Sequence, residues 1–193
     1  MSLSLVKGQK ISLEKTAGTP LRYVVMGLGW DARRSGGLFG MFSKPQEIDL
    51  DASCVLFDGQ GKFVDAVWFR QLRSRDGSVG HTGDNRTGAG EGDDEQIRVD
   101  LGAVPAEVQT LMFVVNSFTG QDFSQIENAT CRLLDAQGNR EIARYNLSAG
   151  GAHTAMLMVK LYRHGGEWKL AALGEHASGR TFQDLGPAMQ AHL

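Results

Sequence analysis

The sequence lacks any long apolar run. Nowhere in its 193 residues does a segment approach the roughly 18 apolar residues of a membrane-spanning helix. The N-terminal stretch MSLSLVKGQKISLEK alternates polar and apolar residues and has no apolar core of the length found in secretory signal peptides. We therefore expect a cytoplasmic protein, and the length fits a single domain over residues 1–193.

The sequence has only two cysteines and little net charge. Cys54 and Cys131 have no C-x-x-C spacing, which argues against a zinc site and a disulfide framework, so we expect two buried thiols. The formal net charge of -2 argues against a nucleic-acid binder driven by overall basicity, and no direct contact with nucleic acid is expected.

Common catalytic motifs are also missing from the chain. It contains no G-x-x-x-x-G-K-[ST], no G-x-S-x-G and no H-E-x-x-H, so no catalytic residue can be assigned. One enzymatic alternative stays open, in which clustered carboxylates hold magnesium and the protein acts on a phosphate or nucleotide substrate. No lysine, arginine or histidine is fixed by local spacing as a substrate partner, and we therefore favour a non-enzymatic protein.

The sequence is rich instead in short β-type segments separated by its 25 glycines. These segments are enriched in β-branched and aromatic residues and end at Gly, Asn or Asp, a pattern that predicts an all-β, two-sheet β-sandwich with a few short helices. In the tail, Phe182, Leu185 and Met189 are spaced like one face of a helix. The predicted strands are 11–14, 21–28, 52–58, 66–70, 96–100, 110–117, 129–135, 141–147, 155–163 and 167–173.

An internal repeat supports this architecture. The segment DASCVLFDGQGK at 51–62 aligns without gaps on NATCRLLDAQGN at 128–139, and each copy has the pattern of a strand followed by a turn. The preceding strands, 24–30 and 112–118, also resemble each other. Two copies are too few for a solenoid, so we predict two related halves that pack their sheets together.

The stretch HTGDNRTGAGEGDDEQI at 81–97 concentrates negative charge in a segment whose glycines oppose both helix and strand. Five carboxylates against Arg86 leave four net negative charges, and two carboxylates about 4 Å apart repel by roughly 4 kcal/mol at an effective dielectric of about 20. The segment is not an EF-hand, because Arg86 and Gly88 would occupy ligand positions. The histidine that opens it, His81, is expected to be an ordinary loop residue.

Further acidic residues lie at the ends of predicted strands. Asp31 follows one strand, and Asp49 and Asp51 are two apart, which on a strand places both carboxylates on the same face. Loops gathered at one end of a sandwich could surround a calcium ion, which prefers about 6 to 8 oxygen ligands. A solvated acidic surface is the other interpretation, and composition alone leaves both open.

These residues also carry a family resemblance. GLGWD at 27–31, DLDAS at 49–53, HTGDNRTG at 81–88, GEGDDE at 90–95 and EIARYNL at 141–147 resemble the signatures of the bacterial tellurium-resistance TerD family. VWFRQL at 67–72, VNSFTGQDF at 115–123 and ALGEHASGRTFQDL at 172–185 are most similar to its TerZ branch.

The resemblance implies a β-sandwich that binds two calcium ions through acidic loops at one end. It also implies a role in resistance to tellurite and in the general response to chemical, phage and colicin stress, with other Ter-family proteins as partners in an assembly at the inner membrane. Arg86 and Ala89 depart from the family pattern, so one ligand is expected to be missing. Carried over by position, the implied metal ligands are Asp31, Asp49, Asp51, Asp84, Asn85, Glu91, Asp93, Asp94 and Glu95.

Between Asp31 and Asp49, an apolar cluster lies between basic residues. Leu38, Phe39, Met41 and Phe42 are flanked by Arg33, Arg34 and Lys44. Residues 33–44 could therefore make peripheral contact with anionic lipid or with a partner. The alternative is a loop that folds back over its own core.

Overall fold

The computed structural model describes residues 3–4, 8–13, 21–32, 49–85, 92–138, 140–146 and 151–193. Within these residues it contains twelve strands, two 3-10 helices (Phe123–Gln125 and Phe182–Leu185) and one short α-helix, α1 (Gly186–Gln190). No helix in the described part of the chain is long and apolar enough to cross a membrane. The strands are β1 (Leu3–Ser4), β2 (Lys10–Ser12), β3 (Tyr23–Ala32), β4 (Leu50–Asp58), β5 (Phe63–Val67), β6 (Val79–His81), β7 (Glu95–Asp100), β8 (Val108–Ser117), β9 (Ile126–Asp135), β10 (Arg140–Asn146), β11 (Ala155–His164) and β12 (Glu167–Ala177).

The strands form two six-stranded sheets. The first sheet has the order β1-β10-β9-β3-β7-β6, and the second has the order β2-β12-β11-β8-β4-β5. All pairs are antiparallel except the parallel pair of β1 and β10. This arrangement confirms the predicted all-β sandwich.

The main core lies between the two sheets. Along β3 the alternate residues Val24, Met26, Leu28 and Trp30 are at most 3% exposed, which is the period of a strand with one face in the core. They pack in one cluster with side chains from the second sheet, such as Phe113. The two sheets therefore bury their inner faces against each other.

The C-terminal segment covers the outer face of the second sheet. Phe182, Leu185 and Met189 are buried in a second apolar cluster. This cluster also contains Val55 and Val114, which are not part of the main core. This explains why β4 is buried on both faces rather than alternating. The predicted apolar spacing in the tail is confirmed, although the helical part consists of a 3-10 turn followed by the five residues of α1.

The internal repeat corresponds to equivalent positions in opposite sheets. β4 lies beside β8 in the second sheet, and β9 lies beside β3 in the first. Each of the two repeated strands ends in a carboxylate that caps the following turn: Asp58 Oδ1 accepts hydrogen bonds from the amides of residues 60 and 62, and Asp135 Oδ1 from those of residues 137 and 138. Each half therefore contributes strands to both sheets, whereas the repeat alone suggested one sheet for each half.

Two strands, β1 and β6, are not predicted from the sequence, and the strand predicted at 66–70 lies at 63–67 instead. β1 has two residues and β6 has three, with a glycine at its centre, so both are too short to show an alternating pattern. Both ends of the stretch 81–97 also lie in strands, because His81 ends β6 and Glu95 begins β7.

Both buried cysteines are free thiols, as predicted.

Candidate metal centre

Four strand ends meet at one end of the sandwich. β3 and β6 end there, whereas β4 and β7 begin there. The antiparallel pairing of β3 with β7 aligns Leu28 with Glu95, and the amide of Asp94 donates to the Leu28 carbonyl (2.8 Å). The acidic sequence segments that flank these strands are brought to the same end by this topology.

The structure brings Asp49, Asp51 and Asp84 together. One carboxylate oxygen from each lies within 4.8 Å of the others. Asp49 and Asp51 are only 8% and 2% exposed, whereas Asp84 is exposed. The two-residue spacing that predicted a shared face for Asp49 and Asp51 is consistent with this grouping.

Asp51 is in an environment that disfavours its charge. Burial is the largest cause, and the nearby carboxylates of Glu95, Asp49 and Asp84 add to it, so that the pKa of Asp51 is raised to about 8. The Asn116 amide, which donates to Asp51 Oδ2 at 3.4 Å, opposes the shift. Near neutral pH, Asp51 therefore holds a proton unless a cation compensates its charge.

Glu95 is completely buried and connects the two sheets. Its Oε2 accepts from the Ala52 amide of β4 (2.8 Å), and its Oε1 accepts from the Asn85 amide (3.2 Å). This carboxylate therefore fixes the start of β4 and the Asp84–Asn85 segment relative to β7.

His81 is a buried neighbour of Glu95, not the ordinary loop histidine expected from the sequence. Its Nδ1 accepts from the Gly83 amide (3.0 Å), so the proton of the neutral ring lies on Nε2. That nitrogen lies 3.3 Å from Glu95 Oε2, although the angle falls outside hydrogen-bond geometry. Because Nδ1 accepts from the Gly83 amide and Nε2 faces Glu95, His81 is poorly placed to ligate zinc.

Asn116 also belongs to this site, and nothing in its local sequence indicates it. The residue is 1% exposed and lies opposite Asp51 in the register of β4 and β8. Its Nδ2 donates to Asp51 and to the Arg180 carbonyl, whereas its Oδ1 has no hydrogen-bond partner among the described residues. A buried amide oxygen of this kind is a suitable ligand for a hard cation.

A second acidic group adjoins the first. Asp94 accepts from the Trp30 amide (3.0 Å) and from the Asn85 side chain (2.9 Å). Burial raises the pKa of Asp94, and Asp31, Glu95 and Asp93 raise it further, against the Trp30 hydrogen bond. The exposed Asp31 accepts from the Asn128 amide (2.8 Å).

Asp93 is not brought into either group. Its two oxygens accept from Arg132 Nε (2.7 Å) and Nη2 (3.0 Å), and Gln96 Nε2 donates to the same carboxylate (3.1 Å). Its charge is thus compensated by an arginine from β9, far away in the sequence. Among the other predicted ligands, Glu91 lies outside the described residues.

Gly27 leaves room for the Asp93 carboxylate, which gives a test of this placement. A Cβ at position 27 would lie 2.2 Å from Asp93 Oδ2, closer than atoms can approach. We expect Gly27→Ala to destabilise the fold by about 1–3 kcal/mol because the pair with Arg132 must shift. Thermal unfolding measures this loss. The control is Gly186→Ala, where the added Cβ meets nothing within 4 Å, and equal melting temperatures for the two variants would contradict the placement.

The residues present fit a hard divalent cation. The donors are carboxylate and amide oxygens, the ligands that calcium prefers, and neither cysteine is among them. Asp49, Asp51 and Glu95 are buried carboxylates that raise the free energy of the cation-free site through mutual repulsion. A bound cation would relieve that repulsion.

The fold and site define a class: an all-β, two-sheet sandwich with a carboxylate-rich end suited to a cation. The chain belongs to the TerD family, since the model of the TerD domain matches residues 1–186. The resemblance drawn from the sequence motifs is thereby confirmed.

Relatives with similar sequences span nearly the whole chain. The "Tellurium resistance protein TerZ" of Serratia marcescens is 48% identical over 95% of this chain and 94% of its own length. The "Stress response protein SCP2" of Bacillus subtilis (strain 168) is 44% identical over 96% of this chain and 98% of its own. A crystal structure of a Streptomyces coelicolor A3(2) homologue of the telluride resistance protein TerD has a TM-score of 0.74 at 20% identity, covering 88% of this chain and 98% of that one, which supports the fold alone.

Proposed function

We propose that this protein is a calcium-binding, non-enzymatic sensor or scaffold in tellurite resistance and the general stress response. The observation that carries the proposal is the group of buried carboxylates Asp49, Asp51 and Glu95 beside Asp84. Within this group, the pKa of Asp51 is raised. The tellurium and stress context comes from the names of relatives at 44–48% identity, which are resistance and stress names rather than enzyme names.

The two proposed calcium ions would lie at the two acidic groups. Asp49, Asp51 and Asp84 would hold the first ion, with Glu95 and the Asn116 carbonyl oxygen close by. Asp94 and Asp31, with Asn85 and Asn128 as hydrogen-bonding neighbours, would hold the second. Calcium would supply the positive charge that these carboxylates lack, and its tolerance of irregular oxygen coordination favours it over magnesium.

The sensor role would act through the segment between Asp31 and Asp49. Residues 33–44 lie outside the described residues, and their apolar cluster is flanked by Arg33, Arg34 and Lys44. Calcium at Asp31 and Asp49 would fix both ends of this segment and so control its contact with other Ter-family proteins or, peripherally, with the inner membrane. The proposed location is the cytoplasm.

A resistance assay tests the proposed function. A strain that lacks its own copy would express wild type, Asp49→Asn with Asp51→Asn, or the exposed control Glu107→Gln, and the minimal inhibitory concentration of tellurite would be measured. We expect the double variant to be as sensitive as the strain without the gene and the control to be resistant. Full resistance of a double variant that no longer binds calcium at the first site would sink the proposal.

A deletion tests the route to partners and lipid. Removing Gly36–Phe42 should abolish calcium-dependent recovery of the protein with anionic liposomes or with Ter-family partners, because it removes the apolar cluster. Calcium binding itself should be retained, since Asp31 and Asp49 are intact. Unchanged recovery of the deletion variant would disprove this route.

The calcium-free protein should lose stability as the pH rises. The pKa of Asp51 is about 8 in the fold against an ordinary value of 3.8, so between these values the folded state binds more protons than the unfolded state. Stability conferred by that proton is greatest at low pH and declines through the folded pKa. We expect the melting temperature of the calcium-free protein to fall by roughly 5 °C or more from about pH 5 to about pH 8. Asp51→Asn should flatten this profile, and a wild-type profile that rises with pH would contradict the placement of Asp51.

A further inference from the structure

A groove on the outer face of the first sheet extends from His81 at the acidic end to Tyr23 and Asp100 at the other end. It has a cavity volume of about 450 Å³, and its lining includes Tyr23, Leu72, Arg73 and Arg98. Volumes of this size are typical of small-molecule sites. Because Tyr23 pairs with Asp100 whereas Leu28 pairs with Glu95, the Tyr23 end of the groove lies about 17 Å along β3 from Glu95. His81 lines the end that is nearer to Glu95.

Two arginines give the groove a positive charge. Arg73 and Arg98 are exposed, and within the described part of the chain neither has a carboxylate within 4 Å. Asp100 also lines the groove, but Arg22 offsets its charge by donating to both of its oxygens at 3.2 Å. The local balance is therefore positive in a chain whose net charge is -2.

Both guanidinium groups are held in place by their neighbours. Arg73 lies beside Gly80 in an isolated bridge, and its Nε would be 3.5 Å from a Cβ on Gly77, so its side chain packs over that glycine. Arg98 Nη2 donates to Gln96 Oε1 at 3.1 Å. Each arginine keeps further N–H donors for a ligand, and their fork geometry suits phosphate or carboxylate.

The remaining lining offers apolar surface. Tyr23 is 37% exposed and Leu72 is 46% exposed, which is unusual for such large side chains in this protein. This combination suits a ligand with an apolar or aromatic body and an anionic group.

We propose that this groove binds a small organic anion that carries a phosphate or carboxylate group. The group would accept hydrogen bonds from Arg73 and Arg98, and the body of the ligand would lie against Tyr23 and Leu72. None of Asp49, Asp51, Asp84 and Glu95 lines the groove, so binding of the anion would not require calcium.

Calorimetric titration of the full chain in metal-depleted buffer tests the proposal with AMP, citrate and inorganic phosphate as probes. We expect AMP to bind more tightly than inorganic phosphate, because its body would lie against Tyr23 and Leu72, and binding of citrate would show that the groove also accepts carboxylate groups. Arg73→Gln with Arg98→Gln should weaken that binding about tenfold or more, because each guanidinium donates to a charged acceptor.

The matched control is Arg144→Gln. Arg144 pairs with Glu141 on the same sheet, so this variant should bind the probe as wild type does. The melting temperature of each variant shows whether it is folded. We expect it to equal that of wild type, because the replaced arginines are exposed. The proposal is overturned if neither AMP nor citrate binds at about 5 mM or below, or if the double variant binds as tightly as wild type.

Discussion

Replacing Asp51 with asparagine should abolish the stabilisation by calcium at the first site while leaving the calcium-free protein at least as stable as wild type near pH 8. Asparagine has nearly the same shape as aspartate but carries no charge. It removes the buried carboxylate whose pKa is raised to about 8 by burial and by Glu95, Asp49 and Asp84. The repulsion that calcium would relieve is then absent from the start.

The expected size follows from linkage. Calcium at about 100 times its dissociation constant contributes about 2.7 kcal/mol, which corresponds to roughly 5–10 °C in melting temperature for a protein of this length. Differential scanning calorimetry with and without calcium should show this shift in wild type and in the exposed control Glu107→Gln. A full calcium shift in Asp51→Asn would show that Asp51 is not a ligand.

Replacing Glu95 with alanine should have a second large effect, on the fold as well as on calcium binding. The change leaves the buried Ala52 amide without its acceptor and removes the anchor of the Asn85 amide. An unsatisfied buried donor costs about 1–3 kcal/mol, and the cavity adds to that cost. We expect a loss of about 2 kcal/mol or more in the free energy of unfolding, or roughly 4–8 °C.

Glu95→Gln separates the two roles of this side chain. The amide keeps an acceptor oxygen and the volume of the side chain but loses the charge. We expect it to retain more stability than Glu95→Ala and to share its loss of calcium binding, as measured by denaturant unfolding and by calcium titration. Unfolding of Glu95→Ala at the wild-type midpoint would refute the bridging role of this carboxylate between the sheets.

Local sequence predicts those parts of the fold that depend on local composition. The alternation of Val24, Met26 and Leu28 identifies β3, and the spacing of Phe182, Leu185 and Met189 identifies the buried face of the tail. β6 cannot be predicted from the sequence, because three residues with a central glycine show no periodic pattern. Its pairing with β7 is decided by tertiary contacts.

The candidate site shows the same limit. The spacing of Asp49 and Asp51 indicates a shared face, and the structure groups them with Asp84. Spacing cannot show that Asp93 faces Arg132, because that partner comes from a strand 39 residues away. Asn116 is likewise 65 residues from Asp51, and only the register of β4 and β8 brings them together.

Calorimetric titration of the metal-free protein with calcium and with magnesium decides whether the acidic end of the sandwich binds calcium. We expect wild type to bind calcium below about 1 mM and magnesium more weakly, and Asp49→Asn with Asp51→Asn to lose calcium binding at the first site while Glu107→Gln retains it. Absence of calcium binding by wild type at millimolar concentrations, or unchanged binding by the double variant, would contradict the account.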